Sequence, residues 1–115
     1  MPRNMSFMMT VDQFKNRSKT VTRRFGWEFL KPGDIVCGVA KAMGLKKGEK
    51  INRLGYIKIL NVRTERLHDI TQDDVIKEGF PHWTPEDFID LLTSHYTVTD
   101  DSIVRRIEFE HVESE

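Results

Sequence analysis

The pattern of apolar and polar positions along the chain predicts several strands. Residues 35–39 and 55–62 are apolar and rich in β-branched side chains, which is typical of buried strands. Residues 102–112 carry spaced apolar side chains and predict a last strand near the end of the sequence. The Lys-Pro-Gly-Asp sequence at residues 31–34 predicts the turn that leads into the first of these strands.

Two short helices are predicted from their capping residues. Thr10 is in position to begin the first helix, with Gln13 three residues later to complete a capping box. Thr71 is in position to begin the second, and Gly79 to end it, so that this helix covers residues 72–78.

A third helix is predicted to begin after Thr84, with Pro85 at its first position. Its apolar stripe is formed by Phe88, Leu91, Leu92 and Tyr96. Several strands in a short chain, with helices placed early and late, predict an α+β fold in which helices flank a small mixed barrel. A length of 115 residues fits one domain, 1–115.

Composition narrows the class of protein. Apolar residues make up 38% and charged residues 31%, which is typical of a globular domain. The longest apolar runs are a few residues long, so we predict no membrane span and no signal peptide. Cys37 is the sole cysteine, which excludes an internal disulfide and favours a reducing cytoplasm. One cysteine and four scattered histidines lack zinc-like spacing, so no metal or cofactor is predicted.

The formal net charge is zero, but the charges are unevenly distributed. Residues 1–66 have a balance of +10, and residues 67–115 have a balance of −10. This asymmetry indicates either a basic face that meets phosphates or a nucleobase-bearing ligand, or two halves that interleave and pair with each other. The second interpretation is favoured because surface pairing is common.

The segment 19–24 is dense in chemically useful groups. Lys19 lies three residues before Thr22, and an amine whose pKa is lowered by burial or by a nearby cation can deprotonate a hydroxyl. Arg23 and Arg24 could supply that cation. A carboxylic acid could protonate a departing nitrogen, and Glu78, at the end of a predicted helix, is a candidate. On spacing alone, an exposed strand with solvated charges is the better-supported alternative.

Four segments give the sequence a resemblance to the ASCH-domain family. Residues 16–24, Asn-Arg-Ser-Lys-Thr-Val-Thr-Arg-Arg, resemble the family signature Gly-x-Lys-Thr-x-Thr-x-Arg. Residues 30–36 are similar to the turn into the family's second strand, and residues 67–80 to its helix segment ending in Glu-Gly. Residues 107–109 are similar to its closing strand. The resemblance covers residues 7–112.

The resemblance implies a PUA-like β-barrel with a cleft beside the first strand and the helix. A compact bacterial branch of the family hydrolyses N4-acetylcytidine to cytidine and acetate with a Lys, a Thr and a Glu. These residues match Lys19, Thr22 and Glu78, and the Arg of the signature matches Arg24. The resemblance therefore implies a metal-independent amidohydrolase with Thr22 as nucleophile, Lys19 as base and Glu78 as acid.

Four side chains are predicted to bind the nucleoside substrate: Arg24, Thr20, Trp27 and Phe80. Arg24 is expected to hold Glu78 or to steer the carbonyl oxygen. Trp27, Phe80 and Trp83 could stack on a base, although such residues are more common in core or rim packing.

The chain departs from the family pattern at two places. The signature glycine falls on Arg17, so the turn before Lys19 is predicted to be made by Asn16. Residues 40–54 form a longer segment than in the compact amidohydrolases. Both departures are expected to affect which substrate is accepted, and neither affects the predicted barrel.

Two alternative functions are carried forward from the sequence. One is a module that binds RNA or a modified nucleoside without turnover, and the basic loop 41–53 supports it. The other is a ribonuclease in which Lys19 would act as the base for a ribose hydroxyl. The sequence makes no prediction of oligomeric state.

Overall fold

The computed structural model describes residues 3–41 and 47–113, and within them the strands form one mixed sheet. Its five strands are β1 (Arg3–Ser6), β2 (Val21–Arg24), β3 (Ile35–Val39), β4 (Arg53–Arg66) and β5 (Ile103–Val112). Their order across the sheet is β1-β3-β4-β5-β2. The pairing of β1 with β3 is parallel, and the pairings β3–β4, β4–β5 and β2–β5 are antiparallel.

The sheet curls into a half-barrel, which confirms the predicted small α+β, PUA-like fold. Irregularities in the ladders help it to bend, because a bulge increases local twist. One lies between Gly38 and Val39 in the pairing with β4, and another lies between Ile59 and Asn61 in the pairing with β5. Strands β1 and β2 lie at the two ends of the strand order.

Three short α-helices accompany the sheet in the described residues: α1 (Val11–Lys15), α2 (Gln72–Lys77) and α3 (Pro85–His95). The Thr71 hydroxyl accepts from the amide of Asp74 and begins α2 as predicted. Thr84 and Asp87 form a capping box at α3. The capping box predicted at Thr10 is wrong, because α1 has no side-chain cap there.

Strand β1 was not foreseen from the sequence. It has four residues, and it is stabilised by parallel pairing with β3 more than thirty positions away. Such a long-range pairing leaves no local sequence pattern. Strand β4 also extends beyond the predicted residues 55–62, because β5 offers a continuous partner out to Arg66.

The core has two parts. One lies between the sheet and α1 and contains Met5, Phe7, Phe14, Leu30, Val36, Ile57, Ile59, Ile107 and Phe109. The other lies under α2 and α3 and contains Leu67, Ile70, Val75, Phe88, Leu92 and Val104. The predicted stripe of α3 is confirmed at Phe88 and Leu92, whereas the Tyr96 side chain is exposed.

The turn before Lys19 differs from the prediction. Arg17 has a left-handed backbone, with φ of 66°, whereas Asn16 has φ of −84°. Arg17 therefore adopts the conformation that the glycine of the ASCH signature could adopt without strain.

The basic loop predicted at 41–53 lies in part outside the described residues, which exclude 42–46. Of its described positions, Lys47, Lys50 and Arg53 are exposed. No helix in the described parts of the chain has the length and apolar character needed to cross a bilayer.

Candidate functional site

Lys19 lies in a short segment that backbone hydrogen bonds hold between three elements. Its amide donates to the carbonyl of Gln13 in α1 at 3.2 Å, and the next amide, Thr20, donates to the carbonyl of Lys77 in α2 at 2.8 Å. From β5, His111 Nε2 lies 2.8 Å from the Lys19 carbonyl, so this nitrogen must donate. These contacts fix the backbone from which the Lys19 side chain extends.

Glu78 ends helix α2 where the chain reverses at Gly79, which has φ of 105°. A Cβ atom on Gly79 would lie 2.7 Å from Gln13 Cβ and Cγ. The glycine is therefore required both by its left-handed backbone and by the close approach of α1. This close packing brings residue 78 against the Lys19 segment.

Lys19 and Glu78 form a buried ion pair. Lys19 Nζ donates to Glu78 Oε1 at 2.7 Å and to the Glu78 carbonyl oxygen at 2.9 Å. Lys19 is 3% exposed and Glu78 is 1% exposed. Burial lowers the pKa of Lys19, against the opposing pull of the Glu78 carboxylate, and the charges of Arg24 and Arg23 lower it further. The site thus favours the neutral amine more than water does.

Thr22 is also buried, and Arg24 Nε donates to its Oγ1 at 3.1 Å. Because the hydroxyl oxygen accepts from a guanidinium, its own hydrogen stays available to a base. The nearby positive charge would also stabilise an alkoxide on Thr22. In the described residues, Lys19 Nζ donates to Glu78 rather than to the Thr22 hydroxyl.

Arg23, and not Arg24, holds Glu78. Arg23 Nη1 donates to Glu78 Oε2 at 3.1 Å, and Nη2 bonds Asp74 and Glu65. The expectation for Arg24 was wrong in this respect, because Arg24 bonds Thr22 and its guanidinium lies over the Phe7 ring at 4.8 Å.

Asp74 connects Arg23 to Arg106. Arg106 donates to both Asp74 oxygens, at 2.7 and 3.0 Å. Burial alone would raise the pKa of Asp74, but the hydrogen bonds from Arg106 and Arg23 outweigh it and hold that pKa far below its usual range. We call Lys19, Arg23, Asp74, Glu78 and Arg106 the buried ion cluster.

A cavity of about 270 Å³ opens beside the cluster. This volume lies near the lower end of the range for small-molecule sites. Its polar lining consists of Ser6, Thr10, Lys19, Thr22, Arg23, Arg24 and Glu78. Its apolar lining consists of Phe7, Met8, Met9, Phe25, Trp27, Phe80, Phe88, Leu91, Leu92 and Tyr96. The cavity therefore combines titratable and hydroxyl groups with an apolar wall that suits a flat ring.

Six of the seven residues expected at the site line this one cavity: Lys19, Thr22, Glu78, Arg24, Trp27 and Phe80. Thr20 lies outside its lining, and its backbone instead bonds α2 and β5. Trp83 stacks on Phe80, with ring centroids 4.1 Å apart, and supports it from behind the cavity wall.

Several residues at the site were missed from the sequence. Asp74 and Arg106 look like ordinary surface charges of a helix and a strand, and their spacing of 32 residues gives no local signal. Met8 and Met9 enter the cavity lining because β1 carries the N-terminal segment alongside β3. No group of three or more potential metal ligands is found among the described residues.

Comparison with solved structures places the fold among ASCH domains. An ASCH domain from Lactobacillus crispatus is similar with a TM-score of 0.70 at 11% identity, over 95% of this chain and 78% of that one. A protein of the DUF984 family from Enterococcus faecalis is similar with a TM-score of 0.64 at 17% identity, over 97% and 80%. The chain therefore has the fold of an ASCH domain, as the resemblance of its sequence implied.

The hypothetical protein PH0355 is similar with a TM-score of 0.67 at 17% identity, over 97% of this chain and all of that one. No family model and no curated protein sequence matches the chain. Because these identities are low, the likeness concerns the fold, and the activity is argued below from the site itself.

Proposed function

We propose that this protein is an amidohydrolase that removes the N4-acyl group of N4-acetylcytidine or a related acylated cytosine nucleoside. The observation that carries the proposal is the buried 2.7 Å contact between Lys19 Nζ and Glu78 Oε1 in a cavity that Thr22 also lines. An amine, a carboxyl and a hydroxyl can serve as base, acid and nucleophile in the transfer of an acyl group from nitrogen to water.

In the proposed acylation step, neutral Lys19 takes the proton of the Thr22 hydroxyl. The Thr22 oxygen attacks the acyl carbon, and Arg24, which already donates to Oγ1, stabilises the negative charge on the attacking oxygen. Lys19 passes the proton across its short contact to Glu78, which delivers it to the departing exocyclic nitrogen. The nitrogen leaves as the amino group of cytidine, and Thr22 holds the acyl group.

In the proposed deacylation step, a water molecule attacks the acyl carbon while Glu78 accepts its proton. The C–O bond to Thr22 breaks, and the proton returns through Lys19 to the Thr22 oxygen. The product leaves as acetic acid, which gives its proton to bulk water and becomes acetate, and the three side chains regain their starting protonation states. The cycle thus consumes one water molecule for each amide bond.

The proposal assigns the base to the apolar wall of the cavity. Trp27 and Phe80 both line it, and a pyrimidine ring could stack on either side chain. The Phe80 ring is further stiffened by stacking with Trp83 at an interplanar angle of 13°. A rigid aromatic surface holds a flat ligand with little loss of side-chain entropy.

The test is a hydrolysis assay with N4-acetylcytidine, followed by the change of its ultraviolet spectrum toward that of cytidine. Lys19→Met is expected to slow the reaction at least about 10²-fold, because it removes the base. Lys58→Met, which changes an exposed lysine of β4, is expected to retain the wild-type rate. No hydrolysis by the wild type, or equal rates for the wild type and Lys19→Met, would exclude the proposal.

The pH dependence adds a second check. The neutral form of Lys19 is the active form, so kcat/KM should rise with pH through the pKa of Lys19. Burial lowers that pKa, so the rise should come below the ordinary range of a lysine. A profile that rises only in the ordinary lysine range would contradict the role of a buried base.

One observation favours a binding module as the second candidate function. The Lys19 amine donates both to the carboxylate and to the carbonyl oxygen of Glu78, and this arrangement could be purely structural. The cavity would then hold a modified nucleoside without turnover. Tight binding of N4-acetylcytidine by calorimetry, with no release of acetate after long incubation, would favour this second candidate.

A further inference from the structure

The carboxylate of Glu78 is shared between two buried cations. Oε1 accepts from Lys19 Nζ at 2.7 Å, and Oε2 accepts from Arg23 Nη1 at 3.1 Å. Each oxygen is thus bound to a different cation. The carboxylate cannot turn without breaking an ion pair in surroundings where Glu78 is only 1% exposed.

Arg23 is itself held firmly. Its Nη2 atom bonds Glu65 of β4 at 2.8 Å and Asp74 of α2 at 2.5 Å. Arg106 of β5 donates to the same Asp74 carboxylate through two nitrogens. The Arg23 guanidinium is therefore fixed by acids from two elements in addition to its bond with Glu78.

The two cations that share Glu78 differ in one chemical respect. A guanidinium stays protonated at all pH values at which proteins are folded, whereas an ammonium group can lose its proton. When Lys19 becomes neutral, Glu78 still has Arg23 as a paired charge. Without Arg23, a neutral Lys19 would leave a buried carboxylate with no cation on it, which is strongly unfavourable.

We propose that Arg23 is a positioning residue that keeps the Glu78 carboxylate in place and paired while Lys19 is a neutral amine. The effect of Arg23 on catalysis rests on the proposed function. Its ion pair with Glu78 does not, because that pair needs no substrate. The residues that act on the substrate remain Lys19, Thr22 and Glu78, and Arg23 acts through Glu78.

The charged groups around Lys19 agree with this role. Glu78 faces it from the end of α2, Arg23 and Arg24 from β2, and His111 bonds its carbonyl from β5. Glu78 is the acidic group that favours protonated Lys19, and Arg23 offsets that effect by sharing the carboxylate. Burial of His111 lowers its pKa, which favours the neutral ring beside Lys19.

The first test uses the wild-type protein and needs no substrate. Side chains labelled with carbon-13 at lysine Cε and glutamate Cδ are followed by NMR from neutral to alkaline pH, and Lys19→Met identifies the Lys19 signal. The Glu78 signal is expected to keep its ionised position while the Lys19 signal moves to that of a neutral amine. A Glu78 signal at the protonated position while Lys19 is a neutral amine would overturn the proposal.

The second test compares two arginines of the same cluster. Arg23→Gln is expected to raise the titration midpoint of Lys19, because it removes a buried cation whose charge lowers the Lys19 pKa. Arg23→Lys, which keeps a cation, should return the midpoint toward the wild-type value. Arg106→Gln removes a cation that bonds Asp74 but not Glu78, and it should move the midpoint much less. Equal shifts in Arg23→Gln and Arg106→Gln would overturn the proposal.

Kinetics separate this proposal from the amidohydrolase proposal. With N4-acetylcytidine, Arg23→Gln should move the rise of kcat/KM to higher pH by the same interval as the NMR midpoint. If the wild type hydrolyses nothing but the NMR results are as expected, the proposed function fails and the role of Arg23 in pairing stands. If the wild type hydrolyses the substrate and Arg23→Gln leaves the pH profile unmoved, the role of Arg23 fails instead.

Discussion

Two groups of residues in this protein both combine basic and acidic side chains, but one group is buried and the other is exposed. The buried ion cluster joins two arginines and a lysine to Asp74 and Glu78, and its side chains are at most 9% exposed. A surface group of Arg66, His68, Asp69 and Asp101 has contacts of 3.2–3.3 Å, with side chains 43–68% exposed. We call the latter the surface ion group.

Burial determines how much an ion pair contributes to the stability of the fold. In the surface ion group, water solvates each charge whether or not its partner is present, so the net stabilisation is small. In the buried ion cluster, each charge has lost its water and depends on its partners. Ion pairs of similar chemistry therefore depend strongly on their partners in the buried ion cluster and only weakly in the surface ion group.

The largest expected effect is that of Glu78→Ala, which leaves Lys19 and Arg23 without their shared carboxylate. We expect the free energy of unfolding to fall by about 3–5 kcal/mol, the usual result of removing one partner of a buried pair. Urea unfolding followed by tryptophan fluorescence measures it. Glu78→Gln keeps hydrogen-bonding atoms and should lose less stability. A loss for Glu78→Ala no larger than that for a surface pair would contradict the comparison.

A smaller effect is expected from Asp74→Asn, and it depends on pH. The folded-state pKa of Asp74 is held below its usual value, so its carboxylate stabilises the fold above about pH 4. This stabilisation, of order 2 kcal/mol, is lost as the pH falls from about 4 toward the folded-state pKa. Asp74→Asn should therefore be less stable than the wild type at neutral pH, and this difference should shrink in acid.

Unfolding curves at neutral and acidic pH measure this dependence. Asp101→Asn, in the surface ion group, is the matched control and should differ little from the wild type at either pH. A difference between Asp74→Asn and the wild type that is the same in acid as at neutral pH would show that the Asp74 charge contributes nothing.

The next effect concerns the close packing that brings Glu78 to Lys19. Gly79→Ala places a Cβ atom 2.7 Å from Gln13 side-chain atoms at a backbone φ of 105°. Gly33→Ala meets the same kind of left-handed backbone, at φ of 95°, but no atom within 4 Å. We expect Gly79→Ala to be less stable than Gly33→Ala by about 1–2 kcal/mol in thermal or urea unfolding. Equal losses would show that the contact with α1 is not tight.

The smallest expected effect belongs to Arg66→Ala in the surface ion group. It removes a 3.3 Å contact with Asp101 between half-exposed side chains. We expect a loss of less than about 1 kcal/mol, and a smaller one still at high salt, because salt screens exposed charges. A loss comparable to that of Glu78→Ala would show that exposure does not separate the two groups.

Much of the fold could be predicted from local patterns. The turn at residues 31–34, strand β3, and the caps of α2 and α3 at Thr71 and Thr84 follow from residue types within a few positions of each other. Strand β1 and the ends of β4 could not be predicted, because they depend on pairing with distant strands. The side-chain cap predicted at Thr10 is not formed, because a suitable residue type does not guarantee a suitable backbone conformation.

The sequence predicted which residues form the site, but not which of them pair with each other. Lys19, Thr22 and Arg24 follow from the family signature and Glu78 from the resemblance of the helix segment, and the structure brings all four to one cavity. Arg24 was expected to hold Glu78 or to steer the carbonyl oxygen, whereas Arg23 holds Glu78, because position in the sequence does not determine where a long, flexible side chain ends. The expected interleaving of the basic and acidic halves is seen in the pairs of Lys19 and Arg23 with acids beyond residue 66.

The sequence by itself determined which titratable and hydroxyl side chains are available to the cavity, the short-range turns and caps, and the glycine at which α2 must end. These features depend on backbone geometry and hydrogen bonds within a few residues. The tertiary structure alone decided which charges are buried and which acid each cation meets. That decision rests on the loss of water around each charge, and the loss is set by packing between elements that are distant in the sequence, such as those that carry Lys19 and Glu78, 59 residues apart.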